Sequence, residues 1–318
     1  MTAYIIRRSL QGLLIIVIVT FLVFIVIRLL PGDPILIFLA EEQVEQLTQE
    51  QIDAARREFG LDKPMMVQYV DWISGLFRGD FGTSIFYRDK VSNLIGERLP
   101  VTMHLGFLAF CVSTFCGISA GVIAALRRGT WIDTVTTSLA NLGITIPVFW
   151  LGILLIYFFG LKLRLLPIHG YTSPFDDFWL STRQVIMPVF CLALGSMAGL
   201  ARQTRSSMLE VLRQDYVRTA WAKGLRERVV VLRHVMKNGL IPVITVIGFQ
   251  VRMIFGGQVL VETVFNVPGL GRLLVSATFG QDYVIIQSGI LIVAILVVVS
   301  NLVVDISYAW IDPRIRYG

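Results

Sequence analysis

Six long apolar runs limit what this chain can fold into. They are Ser9–Leu30, Val101–Leu126, Asp133–Gly160, Val185–Leu200, Ile241–Val264 and Tyr283–Tyr308, the fourth with a polar extension to about Thr204. A hydrocarbon core ~30 Å thick is crossed by about 20 residues of helix, so each run is a candidate span. The composition agrees. Of the 318 residues, 55% are hydrophobic and only 16% charged, where a soluble domain carries roughly 25%. Mean hydropathy is +0.72. No small-residue cleavage signal follows the first run, which is longer than a signal-peptide core, so it is expected to remain as a helix. The expected fold is all-α: a polytopic membrane protein with six transmembrane helices.

Orientation follows from lysine and arginine, which favour the cytoplasmic side of short loops. Arg7 and Arg8 precede the first run, Arg127 and Arg128 follow the second, nine basic residues lie between Arg202 and Lys237, and Arg314 and Arg316 close the tail. With six spans, these four segments share one side and hold 15 of the 28 basic residues. Between Pro31 and Pro100, seven basic residues face twelve acids. Both termini are therefore expected in the cytoplasm. The net charge of +6 is segregated in this way, which makes nucleic acid a poor partner. Cys111, Cys116 and Cys191 lie in apolar runs without metal-ligand spacing, and His104, His169 and His234 are scattered. They read as structural residues rather than a metal site.

The chain divides into residues 1–30 (cytoplasmic N-terminus and first span), an extracytoplasmic helical insertion at 31–98, and a core at 99–318 with a cytoplasmic loop at 202–240. The insertion carries folding signals. Thr48 and Gln51 form a capping-box pattern, and Leu47 is placed to staple onto Ile52. Ala55 and Phe59 continue the apolar face and Gly60 ends it. Pro64 opens a second amphipathic pattern with Met66, Val67, Val70, Ile73 and Phe77 expected inward.

The loop between the fourth and fifth spans contains DYVRTAWAKGLRERVVVLRHVMKNGLIP, Asp215 to Pro242. It is too polar to cross a bilayer, yet regularly patterned. A short helix fits Tyr216–Lys223, with Asp215 as its cap and Gly224 as its end. A second pattern buries Val229, Val230, Leu232, Val235 and Met236. Pro242 stands in the first turn of the next run, where its missing N–H costs little. Thr219, Ala220, Ala222 and Gly224 are small and would let another backbone approach, with Arg213, Arg218, Lys223, Arg226 and Arg228 around them. A plainer reading is a basic segment that only fixes topology.

The stretch Arg218-Thr219-Ala220-Trp221-Ala222-Lys223-Gly224 resembles the E-A-A-x-x-x-G cytoplasmic loop of the permease subunits of ABC importers. The leading acid is absent and the first small residue is Thr219. Ile241-Pro242 also lies further from the glycine than in the general pattern. YVRTAxAKGL followed by RH…KNGLIP is similar to the dipeptide, oligopeptide and nickel branch. So are LPGDP (Leu30–Pro34), LVETVFNVPGLGRLL (Leu260–Leu274) and DPRIR (Asp312–Arg316). The resemblance implies a bacterial or archaeal inner-membrane permease that works by alternating access. It implies a second related permease, two cytoplasmic nucleotide-binding ATPase subunits and an extracytoplasmic solute-binding protein as partners. Tyr216, Arg218, Thr219, Ala220, Ala222, Lys223 and Gly224 would then form the coupling helix that docks on an ATPase.

The chain itself offers no catalytic constellation. It has no Gly-Lys dipeptide and hence no Walker A loop, and no H-E-x-x-H pair or carboxylate dyad. It is not expected to be an enzyme or to hold a cofactor or metal; ATP and magnesium would belong to the ATPase chains. Polar residues inside the runs are candidates for a translocation path: Arg252, Gln250, Gln258, Asn141 and Asn301. A mid-span arginine costs ~2.5–3.5 kcal/mol on insertion scales and should face protein or water. Helix–helix hydrogen bonding is the simpler role for each. Pro147 is expected to kink the third span. Gly269–Arg272 reads as a turn rather than a nucleotide loop.

Three function classes remain: ATP-driven permease, secondary transporter, and membrane enzyme. Acids stay at span ends (Asp133, Glu262, Asp282, Asp305), which disfavours proton or sodium coupling. The solute is left open among peptides, nickel complexes and glutathione-like thiols, with peptides favoured because only His104 lies near the path.

Overall fold

The computed structural model describes residues 2–29, 31–41 and 48–311. For residues 2–3, 39–41, 252, 253, 255 and 305–311 the description is limited to the backbone. Among the described residues the regular structure is helical. In order, the helices are α1 (Thr2–Arg28), α2 (Pro34–Glu41), α3 (Gln49–Glu58), α4 (Met65–Leu76), α5 (Val91–Leu126), α6 (Trp131–Thr145) and α7 (Val148–Leu155). There follow α8 (Phe178–Leu212), α9 (Asp215–Ala222), α10 (Glu227–Val230), α11 (Lys237–Gly239), α12 (Ile241–Val264), α13 (Leu270–Phe279) and α14 (Tyr283–Ile311). π-Helical turns prolong α7 over Ile156–Lys162 and join α10 to α11 over Val231–Met236.

Four helices are each long and apolar enough to cross a membrane: α1, α5, α8 and α14. Two bent pairs bring the number to six, Trp131–Thr145 with Val148–Lys162 and Glu227–Gly239 with Ile241–Val251. The first pair turns by 106° at Ile146–Pro147. This is a break rather than the expected kink. Pro147 has no N–H to give, and it drives Ile146 into extended backbone with ψ 124°. α5 and α8 also outrun their apolar runs. Helical hydrogen bonding does not stop where the apolar side chains do, and Asp177 anchors α8 early by accepting from the Leu180 N–H at 2.9 Å.

The helices group into two compact units, residues 1–101 with 268–318, and residues 102–267. In the first unit, α1 packs along α14 and α13 along α14. Its core includes Ile27, Leu94, Ile95, Leu270, Leu273, Ile285 and Ile286. The buried Asp282 carboxylate accepts from Ser84 Oγ at 2.6 Å and from the N–H groups of Phe86 and Ile285. It thereby caps α14 and pins the loop before α5. A smaller core of Ile35 and Phe38 from α2 with Ile85 receives Ile52 and Ala55 from α3 and its cap Phe59. The Thr48–Gln51 capping box is formed in full, and Gly60 turns the chain with φ +67°. Leu47, the expected staple, lies outside the described residues. Arg56 pairs with Asp33, a hydrogen bond that raises the guanidinium pKa.

α4 departs from expectation. Met66, Val67, Val70 and Phe77 are exposed, while Gln68, Tyr69, Trp72 and Leu76 are half-buried, with Gln68 bonded to and Tyr69 stacked on α1. Of the predicted inward set, only Ile73 is half-buried. The amphipathic period was correct and the polarity of its faces was not. Stacking of Tyr69 on Phe21 and Phe24 of α1, with Trp72 tilted against Tyr69, selects the protein side.

In the second unit, α8 is the axis against which α6, α7 and α12 pack. Glycine brings α5 to it. A Cβ on Gly121 would sit 2.5 Å from the Ala201 carbonyl oxygen, and one on Gly117 would sit 2.8 Å from the Met197 oxygen. The two glycines are four residues apart, the spacing that lets helix backbones touch in membranes. We predict that Gly121→Val destabilises the protein by at least the ~1–3 kcal/mol of an overpacked core, read as a lower melting temperature in detergent. Gly199→Ala, at a position with nothing within 4 Å of the new methyl, should leave it unchanged.

Candidate functional site

The end of α8 runs into the loop singled out by its small residues. α9 spans Asp215–Ala222, one residue earlier at each end than expected. Gln214 occupies the cap position without a side-chain bond, so Asp215 is not the cap but the first helical residue, 3.5 Å from Arg218. Val217 and Ala220, three residues apart, share the face turned to the protein. They pack with Ala125, Met208, Val230 and Val235. Gly224 ends the helix in the left-handed region, φ +74°, as expected. Its N–H donates to the Trp221 oxygen at 2.9 Å.

Ala220 therefore does not present itself to a partner. It is 5% exposed and belongs to the chain's own core. The outward surface is formed by Tyr216, Arg218, Thr219, Trp221, Ala222 and Lys223. Arg213, Arg226 and Arg228 are exposed around it, so the surface is basic with an aromatic and small-residue centre. Asn238 on α11 donates to the Tyr216 hydroxyl at 3.2 Å, which ties the far side of the loop to α9.

The segment after Gly224 buries Val230, Val231 and Val235 while Leu232 is exposed. A regular helix would spread the three valines too widely. The π-helical turn at Val231–Met236 adds a residue per turn and brings them to one side. Leu232 was expected inward because sequence periodicity assumes 3.6 residues per turn.

Sequence reasoning missed the brace above α9. Arg205 on α8 grips Asp133 at the start of α6 with Nε–Oδ1 2.6 Å and Nη2–Oδ2 2.8 Å. Asp133 also accepts from the Gly129 N–H at 3.1 Å and Thr137 Oγ1 at 3.5 Å. The bidentate bond fixes the entry of the broken span to the helix that carries α9. Nothing local signals it, since the partners are 72 residues apart.

The candidate path residues divide. Gln250 is buried on α12; its Nε2 donates to the Ser196 oxygen at 2.9 Å and its Oε1 accepts from Thr114 Oγ1 at 3.4 Å. Gln258 Nε2 donates to the Thr102 oxygen at 2.9 Å. Both glutamines thus tie α12 to neighbouring helices. Asn141 is exposed on α6 and Asn301 is half-buried on α14. The side chain of Arg252 lies outside the described residues. His104 shares a 2.9 Å hydrogen bond with Tyr171.

Comparison with known proteins supplies a context. Residues 117–317 match the family model described as binding-protein-dependent transport system inner membrane component, and residues 1–106 match its N-terminal companion. The chain is 41% identical over 317 residues to the probable peptide ABC transporter permease protein y4tP of Sinorhizobium fredii, with 100% of both chains covered. It is 41% identical to the oligopeptide transport system permease protein AppB of Bacillus subtilis, again over 100% of both. A solved structure, the MetNI methionine ABC transporter in an inward-facing conformation, shares the fold with a TM-score of 0.57. That likeness has 16% identity and covers 69% of this chain and 96% of the other.

Removing one partner of a buried ion pair leaves an uncompensated charge. We predict that Arg205→Met lowers stability by roughly 3 kcal/mol, the low end for such pairs because Arg205 retains some solvent. The double variant Asp133→Leu/Arg205→Met should recover most of the loss. Thermal melts of the three proteins in one detergent decide the matter.

Proposed function

Because the chain belongs to the family of binding-protein-dependent transport system inner membrane components, we propose that it carries peptides into the cytoplasm as one permease of an ABC importer. The observation that carries the solute assignment is full-length similarity to relatives named as peptide permeases. The chain is a multi-pass inner-membrane permease subunit working with other transporter subunits. In the reading proposed here those subunits are a second related permease, two cytoplasmic ATPases that bind ATP and magnesium, and a solute-binding protein on the other face. Both termini and α9 then lie on the cytoplasmic side.

In this mechanism α9 is the handle. An ATPase groove grips Tyr216, Thr219, Trp221, Ala222 and Lys223, and the arginines around them attract an acidic rim. α9 cannot move alone, because Val217 and Ala220 are buried with residues of α5, α8 and α10. A push on α9 therefore displaces the ends of those helices together. The Arg205–Asp133 bond hands the displacement to α6, whose continuation breaks at Pro147. Closing and opening of the path follow from these helix shifts. Gln250 and Gln258 act as hinges between α12 and its neighbours, with Arg252, Asn141 and Asn301 as the remaining polar candidates for solute contact.

Two predictions test this. Ala222→Trp adds bulk to the outward face and Gly224→Val forces a β-branched residue into a left-handed turn. Both variants should insert normally yet lose ATPase co-purification or peptide-stimulated hydrolysis, since 1.4 kcal/mol is already tenfold in association. Ala220→Trp should instead unfold the loop. Wild-type assembly and hydrolysis in Ala222→Trp and Gly224→Val would overturn the assignment of α9.

The solute is tested separately, with the assembled transporter in liposomes and labelled peptides, nickel complexes and glutathione offered in turn. ATP-dependent peptide uptake is the expected result. Uptake of nickel or glutathione alone would correct the solute, and uptake without ATP would make the protein a secondary transporter.

A further inference from the structure

We propose that α4 lies in the membrane interface and presents its outward apolar stripe to lipid acyl chains, on the side where α1 ends. The stripe is too exposed to be left to water. Met66 is 63%, Val70 60% and Phe77 89% exposed. At 100° per residue these three fall within about 40° of one another on the helix. The protein-facing sector, centred about 105° from the stripe, holds Tyr69, Trp72 and Leu76. A third sector, on the far side from the stripe, holds Asp71 and Gly75, with Gln68 at its border with α1. Three sectors with three characters are what a helix needs where protein, hydrocarbon and water meet.

Depth is set by the contacts with α1. Gln68 Oε1 accepts from Arg28 Nε and Nη2 at 3.1 and 3.0 Å, at the polar end of the span. From the next position, Tyr69 reaches inward. Its ring lies 5.1 Å from that of Phe24 and 5.5 Å from that of Phe21, and its hydroxyl is 3.3 Å from Thr20 Oγ1. Thr20 is eight residues before Arg28, about 12 Å along the helix axis. A side chain anchored that far inside an apolar span places its own backbone at the boundary of headgroups and acyl chains. Phe21 is itself partly exposed, so the stripe of α4 continues a surface of α1 that faces lipid. Asp71 bonds Lys63 Nζ at 2.7 Å on the sector left for water.

The competing occupant is protein: the second permease or the solute-binding protein could cover the same stripe. Spin-label accessibility separates the cases. Cysteine is placed singly at Met66, Val70, Phe77 and Asp71 in a chain whose Cys111, Cys116 and Cys191 are serine, and the assembled transporter is labelled in liposomes. Oxygen should collide with the label more often than a water-soluble nickel chelate does at positions 66, 70 and 77, and the order should reverse at position 71. A label reached mainly by the chelate at Val70 and Phe77 would make the stripe water-facing and overturn the proposal. A label immobilised and reached by neither reagent would assign the stripe to a protein partner and overturn it equally.

Discussion

Hydrocarbon offers a peptide N–H or C=O no partner, so the structure depends on each crossing segment satisfying its own backbone. The third span shows what happens when one residue refuses. Pro147 removes a donor, and the helix stops at Thr145. The Ile146 N–H still reaches the Leu142 oxygen at 3.0 Å, and Leu151 N–H finds the Pro147 oxygen at 3.0 Å. Thr145 Oγ1 turns back onto the Asn141 and Leu142 oxygens at 3.2 and 3.1 Å. The Asn141, Leu142 and Pro147 carbonyls beside the break are thus met locally as the chain turns by 106°. A helix that can bend sharply at membrane depth is a natural moving part.

Around that break the helices of the second unit approach closely through small residues, beside buried large side chains such as Met187, Leu200 and Phe265. Gly117 and Gly121 bring α5 onto α8, and a Cβ on Gly143 would sit 3.1 Å from Ala198 Cβ, so α6 is equally near. Small contacts pack tightly but resist sliding little. Directional ties among the described residues include the Asp133–Arg205 fork, the glutamines on α12 and the buried 2.6 Å bond from Thr102 Oγ1 to Glu262 Oε1. Helices that approach so closely through small residues can shift as rigid rods between such ties.

Much of this was legible in the residues because it rests on local rules. Apolar length marked the spans, Thr48–Gln51 marked a helix start, and Gly60, Gly224 and Pro242 marked turns and a first helical turn, each where found. What escaped depends on distant partners. The face of α4 is decided by aromatic residues of α1, more than forty positions away, and not by its own pattern. Ala220 looked available for docking because smallness suits both an interface and a core; only the neighbours Met208 and Val235 decide between them. The partners of Gln250 and Gln258, polar groups of adjacent helices, were likewise invisible in a single span's sequence.

The π-helical turn between α10 and α11 has a consequence for how the chain tolerates changes in length. It already holds one residue more than a regular turn, so removing a residue from Val231–Met236 would convert it to α-helix rather than break it. Gly239, against Met208 at the end of the loop, and the start of α12 would keep their bearings. The same deletion inside α12 would swing every following side chain by about 100° and unseat Gln258 from Thr102. Length variation between the fourth and fifth spans is therefore cheapest in this wide turn, where the register of the next span is insulated from it.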